Sequence, residues 1–143
     1  MARNGRPIGI LLTELVNRIS HRNGETLRIM AESQVTLQQV LLLTRLRQAE
    51  ASSASELASN LALSLPAISQ AVDRLVRLGL VTRIEDEEDR RKKKIATTAK
   101  ANALLERLMR ARSNEYSAGL SGLSRQTHDR LERLLREALK QLQ

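Results

Sequence analysis

The most concentrated chemistry in this sequence is a run of ten charged side chains. Residues 85–89 are acidic, and residues 90–94 are basic (Arg90-Arg91-Lys92-Lys93-Lys94). Adjacent cations attract polyanions, and a nucleic-acid backbone is the commonest polyanion that a basic surface meets. The run therefore indicates contact with phosphates, while a solvated surface turn is the alternative.

Groups that could carry catalysis are scarce. The two histidines, His21 and His128, lie far apart in the sequence, and there is no cysteine. We find no spacing typical of metal ligands and no glycine-rich phosphate loop. Without cysteine, disulfides and thiol-based sensing are excluded. We therefore expect no enzyme, no cofactor and no metal.

The overall charge points in the same direction as the basic run. Lys and Arg number 24 against 16 Asp and Glu, a net charge of +8 that is spread along the chain. Such a balance favours a nucleic-acid partner. One Tyr is the sole aromatic residue, so the stacking side chains of many single-strand binders are missing. No apolar run approaches the ~20 residues of a membrane helix, and no signal peptide is recognisable, so we expect a cytoplasmic protein.

Four helices are predicted before the charged run. The apolar spacing indicates a first helix from Pro7 to about Ala31. Thr36 is a good N-cap for the second helix, and Ser53 begins a capping box for the third. Ser64 caps the fourth, which carries proline in its first turn.

A β-hairpin is predicted to follow the fourth helix. Gly79 ends that helix, and residues 81–84 and 94–97 have the composition of two strands on either side of the charged run. A further helix should begin at Thr98 and end near Ala118.

The end of the chain is predicted to be helical and strongly apolar on one side. Gly119 and Gly122 are expected to break the preceding helix, and Ser124 to cap the last one. Residues 131–142 place leucine and alanine at helical spacing. This stripe exceeds what a small domain must bury, so it either caps the protein's own core or joins a partner.

The third and fourth helices have the geometry of a helix-turn-helix, because about three residues join them. Ala58 supplies the small side chain that close helix packing needs, and Ala62 stands where a turn glycine is usual. Any short helical hairpin would also fit, but a strand, turn and strand directly after it make a wing. The predicted fold class is mainly α with a small β-hairpin: a winged helix-turn-helix plus N- and C-terminal dimerisation helices.

The fourth helix is the predicted recognition helix, and its first residues would reach base edges. Gln70 can make a bidentate contact to adenine, Ser69 can serve either base type, and Pro66 can touch thymine methyl groups. Solvent exposure without contact is the alternative. The predicted DNA-binding residues of this helix are Ser64, Leu65, Pro66, Ala67, Ser69, Gln70, Arg74 and Arg77.

The sequence resembles the MarR family of transcription regulators over most of its length. Three segments carry the resemblance: residues 36–42 at the entry to the second helix, residues 73–81 at the end of the recognition helix, and residues 86–91 in the wing. Thr97-Thr98 and Ala101 depart from the Leu-Thr and glycine common in the family. We expect this departure to alter local packing and not the fold.

The resemblance implies roles for the wing residues. Its signature of an Asp, any residue and an Arg falls on Asp89, Arg90 and Arg91. Arg91 would then enter the minor groove, oriented by Asp89. The remaining cations, Arg90, Lys92, Lys93 and Lys94, would contact phosphates.

The resemblance also implies a homodimer and a ligand. The predicted division is residues 1–35 for an N-terminal dimerisation helix, 36–99 for the DNA-binding region and 100–143 for C-terminal dimerisation helices, within one compact domain. Such a dimer would read a pseudo-palindromic site. We expect a repressor released by a small aromatic or anionic effector, for which Arg18, His21 and Arg45 are weak candidates. The alternative function is a helical adaptor whose basic face binds an acidic protein.

Overall fold

A computed structural model describes residues 7–20, 24–85 and 93–142 of the chain. Within these ranges the elements are α1 (Ile8–Ile19), α2 (Glu25–Glu32), α3 (Leu37–Ala49), β1 (Ala51–Ser52), α4 (Ala54–Leu61), α5 (Leu65–Arg77), β2 (Val81–Glu85), β3 (Lys93–Thr97), α6 (Ala99–Leu120) and α7 (Arg125–Gln141). The chain divides into two compact units, Thr26–Arg110 and Met1–Glu25 with Ala111–Gln143. The predicted class, mainly helical with a small winged sheet, is confirmed.

The prediction of one long first helix is wrong. Helix α1 ends at Ile19, and Ser20 is extended with ψ 157°. Gly24 then has φ +63°, a left-handed conformation that glycine adopts at little cost. Helix α2 begins only after this glycine, so α1 and α2 are separate helices.

The unit Thr26–Arg110 closes a core of aliphatic side chains. Helices α2 to α6 and the sheet supply it, as the sequence composition requires. Its buried apolar residues are Ile29, Val35, Leu42, Leu43, Leu46, Leu57, Ile68, Val72, Leu75, Leu80, Val81, Ile95, Ala101, Leu104, Leu105 and Leu108. Burial of this set holds the recognition helix against the rest of the unit.

The sheet has three antiparallel strands in the order β1-β3-β2. The hairpin of β2 and β3 confirms the prediction, with Val81 opposite Thr97 and Glu85 opposite Lys93. Strand β1 was not predicted, because two residues, Ala51 and Ser52, show no strand pattern. It pairs with the inner strand, Ser52 opposite Ile95.

The predicted caps are confirmed at every helix where they were placed in the described part of the chain. Thr36 and Ser53 each form a capping box, with Gln39 and Glu56 respectively. The Ser124 side chain accepts from the backbone of residue 127. The Thr98 hydroxyl accepts from the N–H of Ala101 at 3.3 Å. Each cap satisfies a backbone donor that the first helical turn leaves without a partner.

The other unit contains α1, α7 and the end of α6. Helix α6 includes Gly119 and ends at Leu120, before Gly122, two residues beyond the predicted end near Ala118. A Cβ atom at Gly119 would lie 2.6 Å from Cα and Cβ of Ile19, so the missing side chain allows α6 to approach α1 closely. Helix α7 has no buried residue, and Leu139 is 65% exposed. No helix in the described ranges is long and apolar enough to cross a membrane.

Candidate nucleic-acid interface

The turn between α4 and α5 is tight and is built on a left-handed alanine. Ala62 has φ 51° and ψ 41°, and the N–H of Leu63 donates to the carbonyl of Ala58 at 3.0 Å. This closes α4 within one residue, and Ser64 already caps α5. The predicted three-residue connection of a helix-turn-helix is confirmed, with alanine accepting the strain that glycine would avoid.

Helix α5 is sharply two-sided. Ile68, Val72 and Leu75 are buried, and the opposite side is exposed. The predicted residues Ser69, Gln70 and Arg77 share this exposed side with Asp73, since positions three and four apart lie on one helix face. We call the face formed by Ser69, Gln70, Asp73 and Arg77 the reading face.

The first turn of α5 combines exposed apolar side chains with a polar cap. Leu65 is 47% exposed, and Pro66 is exposed as well. The Ser64 hydroxyl accepts from the N–H of Ala67 at 3.3 Å, so it serves the cap that the sequence predicts. Ala67 itself is half-buried, which makes it the least accessible of the predicted base-contacting residues.

The Arg74 side chain makes a hydrogen bond to the protein backbone. Its guanidinium Nη2 donates to the backbone carbonyl of Gln34 at 3.1 Å. Gln34 lies between α2 and α3 with φ 55°, so this bond ties the recognition helix to that connection. Arg74 and Arg77 are both exposed, and a guanidinium has five N–H donors, so Arg74 keeps donors for a DNA contact beside this bond.

An ion pair joins the recognition helix to the wing. Arg83 of β2 donates from Nη2 to Oδ1 of Asp73. Sequence reasoning did not include Arg83 among the predicted DNA-binding residues. The available signal was strand alternation: Val81 is buried, and Arg83, two residues later, lies on the same face of β2.

The C-terminal end of the recognition helix is fastened from α6. Lys100 Nζ donates to the carbonyl of Leu78 at 2.7 Å, and the Thr98 hydroxyl donates to the carbonyl of Gly79 at 2.8 Å. Gly79 has φ +71°, as the predicted helix stop requires. The lysine also complements the partial negative charge of the helix end.

The wing is described only in part. Lys93 is exposed and Lys94 is half-buried, both in β3. Asp89, Arg90, Arg91 and Lys92 lie outside the described residues, as does His21. The predicted minor-groove role of Arg91 therefore stays a prediction.

A cleft of about 430 Å³ lies within the unit Thr26–Arg110. Gln34, Leu78, Lys100 and Arg107 are among its lining residues, and Arg107 Nη2 is 3.9 Å from a Glu32 carboxylate oxygen.

Arg18 and Arg45, two of the three predicted effector residues, are not among the residues that line this cleft. Arg18 pairs with Glu14 at 2.7 Å on α1, and Arg45 is exposed on α3. The described residues contain no His, Asp or Glu cluster suited to a metal ion.

Comparisons with known proteins agree on one family and one fold. The family model for MarR matches residues 35–93. The chain is similar to YusO from Bacillus subtilis, with 22% identity, a TM-score of 0.72, and coverage of 93% of this chain and 92% of that one. It is similar to wild-type MarR from E. coli in its apo form, with 23% identity, a TM-score of 0.68, and coverage of 94% and 98%. A MepR mutant from S. aureus bound to an oligodeoxyribonucleotide gives 20% identity, a TM-score of 0.67, and coverage of 97% and 100%. No curated protein sequence matches.

Proposed function

We propose that this chain, whose residues 35–93 match the MarR family model, is a sequence-specific regulator of transcription that binds double-stranded DNA. The observation that carries the proposal is the reading face, an exposed polar side of α5 directly followed by a winged hairpin. A DNA-bound MepR mutant shares the fold at a TM-score of 0.67, which supports it.

The reading face offers specific chemistry to the major groove. Gln70 can accept from and donate to adenine, and Ser69 can bond either base type or a phosphate. The exposed apolar Leu65 and Pro66 suit thymine methyl groups. Arg77, further along the helix, suits a phosphate. In this proposal Arg91 enters the minor groove, and Arg90, Lys92, Lys93 and Lys94 add salt-dependent contacts to phosphates.

A homodimer is the proposed DNA-binding form. Helix α7 and its C-cap expose Leu134, Leu135, Leu139 and Leu142, and α1 exposes Ile8, Ile10, Leu11 and Leu12. Contiguous apolar surface of this kind marks an interface. Two copies related by a twofold axis would read a pseudo-palindromic site. In this proposal residues 1–35 and 100–143 serve dimerisation and residues 36–99 serve DNA binding.

We propose repression that a small aromatic or anionic effector relieves. The cleft supports this, because Lys100 and Arg107 could attract an anion beside apolar leucines. Lys100 also bonds to Leu78 at the end of the recognition helix, so a ligand that engaged Lys100 would compete with that bond. Release requires that the ligand prefer a state with low DNA affinity. Arg18, His21 and Arg45 stay as further candidates for effector contact.

Selection from a pool of randomised duplexes tests the function without knowing the operator. The selected duplex and a scrambled one would then be titrated by fluorescence anisotropy at two salt concentrations. We expect the selected duplex to bind roughly 10³-fold more tightly, and both to weaken with salt.

Single substitutions test the contributions of the recognition helix and of the wing separately. Gln70→Ala should reduce the preference by roughly 1–3 kcal/mol, and Arg91→Ala should weaken binding through the wing. Gln48→Ala, at an exposed position near the end of α3, is the matched control. Equal, weak binding of both duplexes by the unsubstituted chain would contradict the proposal and favour an acidic protein partner.

A further inference from the structure

We propose that Arg83 is an additional DNA-contacting residue of the reading face and that Asp73 is the residue that positions it. The inference rests on the proposed DNA-binding function and adds a cation that neither the recognition-helix nor the wing pattern indicates.

The ion pair places the guanidinium at the reading face. Asp73 lies four residues after Ser69 and four before Arg77, so its carboxylate projects from the same side of α5. Arg83 bonds to that carboxylate. Its charged end is therefore fixed beside the side chains proposed to meet DNA, although its backbone belongs to the wing.

The backbone beneath Arg83 is already held in place. Arg83 is paired with Ile95 in the central strand of the sheet, and Ile95 and Val81 are both buried. With the backbone fixed, only the Arg83 side chain remains to be oriented, and its bond to Asp73 orients it. An arginine ordered before DNA arrives loses less conformational entropy on binding.

The arginine keeps donors for a second partner. A guanidinium has five N–H donors, and among the described residues the one hydrogen bond recorded for this group goes to Asp73. The Arg83 side chain is 42% exposed, so solvent or a phosphate oxygen can reach it. Arg74 differs, because its bond to the Gln34 carbonyl directs it to the connection between α2 and α3.

The charges explain why the two residues must act together. A lone carboxylate on the reading face would repel phosphates, and Arg83 cancels that charge. The effect of removing the Asp73 charge should therefore depend on whether Arg83 is present. With Arg83 in place, Asp73→Asn loses the orientation of the guanidinium; without Arg83, the same substitution removes only a repulsive charge.

The test is a cycle of four chains: unsubstituted, Asp73→Asn, Arg83→Gln and the double variant. Each is titrated with the selected duplex and with the scrambled duplex over a range of salt concentrations. Arg130→Gln, at an exposed position of α7, is the control for loss of one positive charge. Thermal unfolding of every variant identifies any that is misfolded, and Arg83→Lys keeps the charge should Arg83→Gln unfold.

We expect Arg83→Gln to lower affinity about fivefold near physiological salt and to reduce the slope of log K against log salt by about 0.9, the value for one phosphate contact. Asp73→Asn should weaken binding to the selected duplex in the Arg83 background and strengthen it in the Arg83→Gln background. A structural role alone would leave the salt slope unchanged.

Two results would overturn the inference while leaving the proposed function in place. One is a salt slope for Arg83→Gln equal to that of Arg130→Gln, which would show that Arg83 makes no phosphate contact. The other is a gain of affinity on Asp73→Asn in both backgrounds, which would reduce Asp73 to a repulsive charge. Absence of duplex binding by the unsubstituted chain would instead overturn the proposed function, and this inference with it.

Discussion

The two compact units differ in how far their leucine side chains are buried. In Thr26–Arg110, Leu42, Leu43, Leu46 and Leu75 have no exposed surface. In the other unit, α7 has no buried residue, and its leucines at 134, 135, 139 and 142 are 46–82% exposed. The same residue type, at the same helical spacing, fills a core in one unit and covers a surface in the other.

This difference shows which unit completes its own core. The unit Thr26–Arg110 covers its apolar helix faces with the sheet and neighbouring helices, so its recognition helix packs against a complete core. The leucines of α7 leave apolar surface in water, which costs roughly 25 cal/mol for each Å² that a partner could cover. A second copy of the chain is the partner we propose.

The largest expected effect is on the core of the unit Thr26–Arg110. Leu75→Ala should lower the free energy of unfolding by about 2–5 kcal/mol, because it removes packed methyl groups and leaves a cavity. Urea denaturation at a fixed protein concentration measures it. Leu139→Ala, at a position 65% exposed in the single chain, should cost much less when both variants are compared at a concentration at which the chain is monomeric. Equal losses would contradict the contrast between the units.

The next effect concerns the exposed stripe of α7. Leu135→Asp with Leu139→Asp should dissociate the proposed dimer, because charges would enter its apolar contact. Sedimentation should show half the mass, and affinity for the selected duplex should fall by roughly 10²-fold or more once the half-sites are bound independently. Gln126→Asp adds a charge to an exposed polar position of the same helix and should change neither. A monomeric unsubstituted chain would refute the dimer.

Substitution of two helical glycines by alanine should change the free energy of unfolding by smaller amounts and in opposite directions. Gly119→Ala would place Cβ 2.6 Å from Ile19, and the resulting shift should destabilise the protein by about 1–3 kcal/mol. Gly9 in α1 has no atom within 4 Å of the equivalent position, so Gly9→Ala should stabilise the protein by about 0.5–1 kcal/mol. Thermal unfolding of both variants at one protein concentration measures these two changes in stability. A gain at both positions would mean that α6 does not approach α1 closely.

The smallest effect is on a surface ion pair of α7. Hydrogen bonding from Arg136 and its positive charge, with a smaller effect of His128, lower the pKa of Glu132. A lowered pKa stabilises the folded state above the ordinary pKa, and this contribution is lost as the pH falls through the lowered value.

Because the side chains of Arg136 and Glu132 are both exposed, solvent screens the pair. Glu132→Gln should therefore shift the urea midpoint only slightly at neutral pH and not at all in strong acid. Glu137→Gln is the control. A loss comparable to that of Leu75→Ala would show that α7 is packed far more tightly than its exposure indicates.

Local rules were enough to predict most elements and the helix-turn-helix. Caps at Thr36, Ser53 and Ser64 and the glycine at 79 each depend on neighbours a few residues away, so their side chains can be recognised in the chain itself. The same holds for the exposed side of α5, because helical spacing separates Ile68 and Val72 from Ser69 and Gln70.

The break between α1 and α2 is local, at Gly24, but the other features that the sequence missed depend on contacts between residues far apart in the chain. The close approach of Ile19 to Gly119 joins residues a hundred positions apart, so the sequence shows no sign of it. Strand β1 exists only through its pairing with β3. Arg83 resembles any polar strand residue until the fold brings it to Asp73.

The sequence by itself determined which segments are helical, where most of them begin, and which side of α5 is polar, because these follow from interactions within one or two helical turns. Only the tertiary structure decided that Arg74 binds the Gln34 carbonyl, that Lys100 secures the end of the recognition helix, and that Arg83 joins the reading face. Each of these contacts joins residues 10 to 40 positions apart, and no local pattern encodes which of several exposed cations the folded chain brings to a given acceptor.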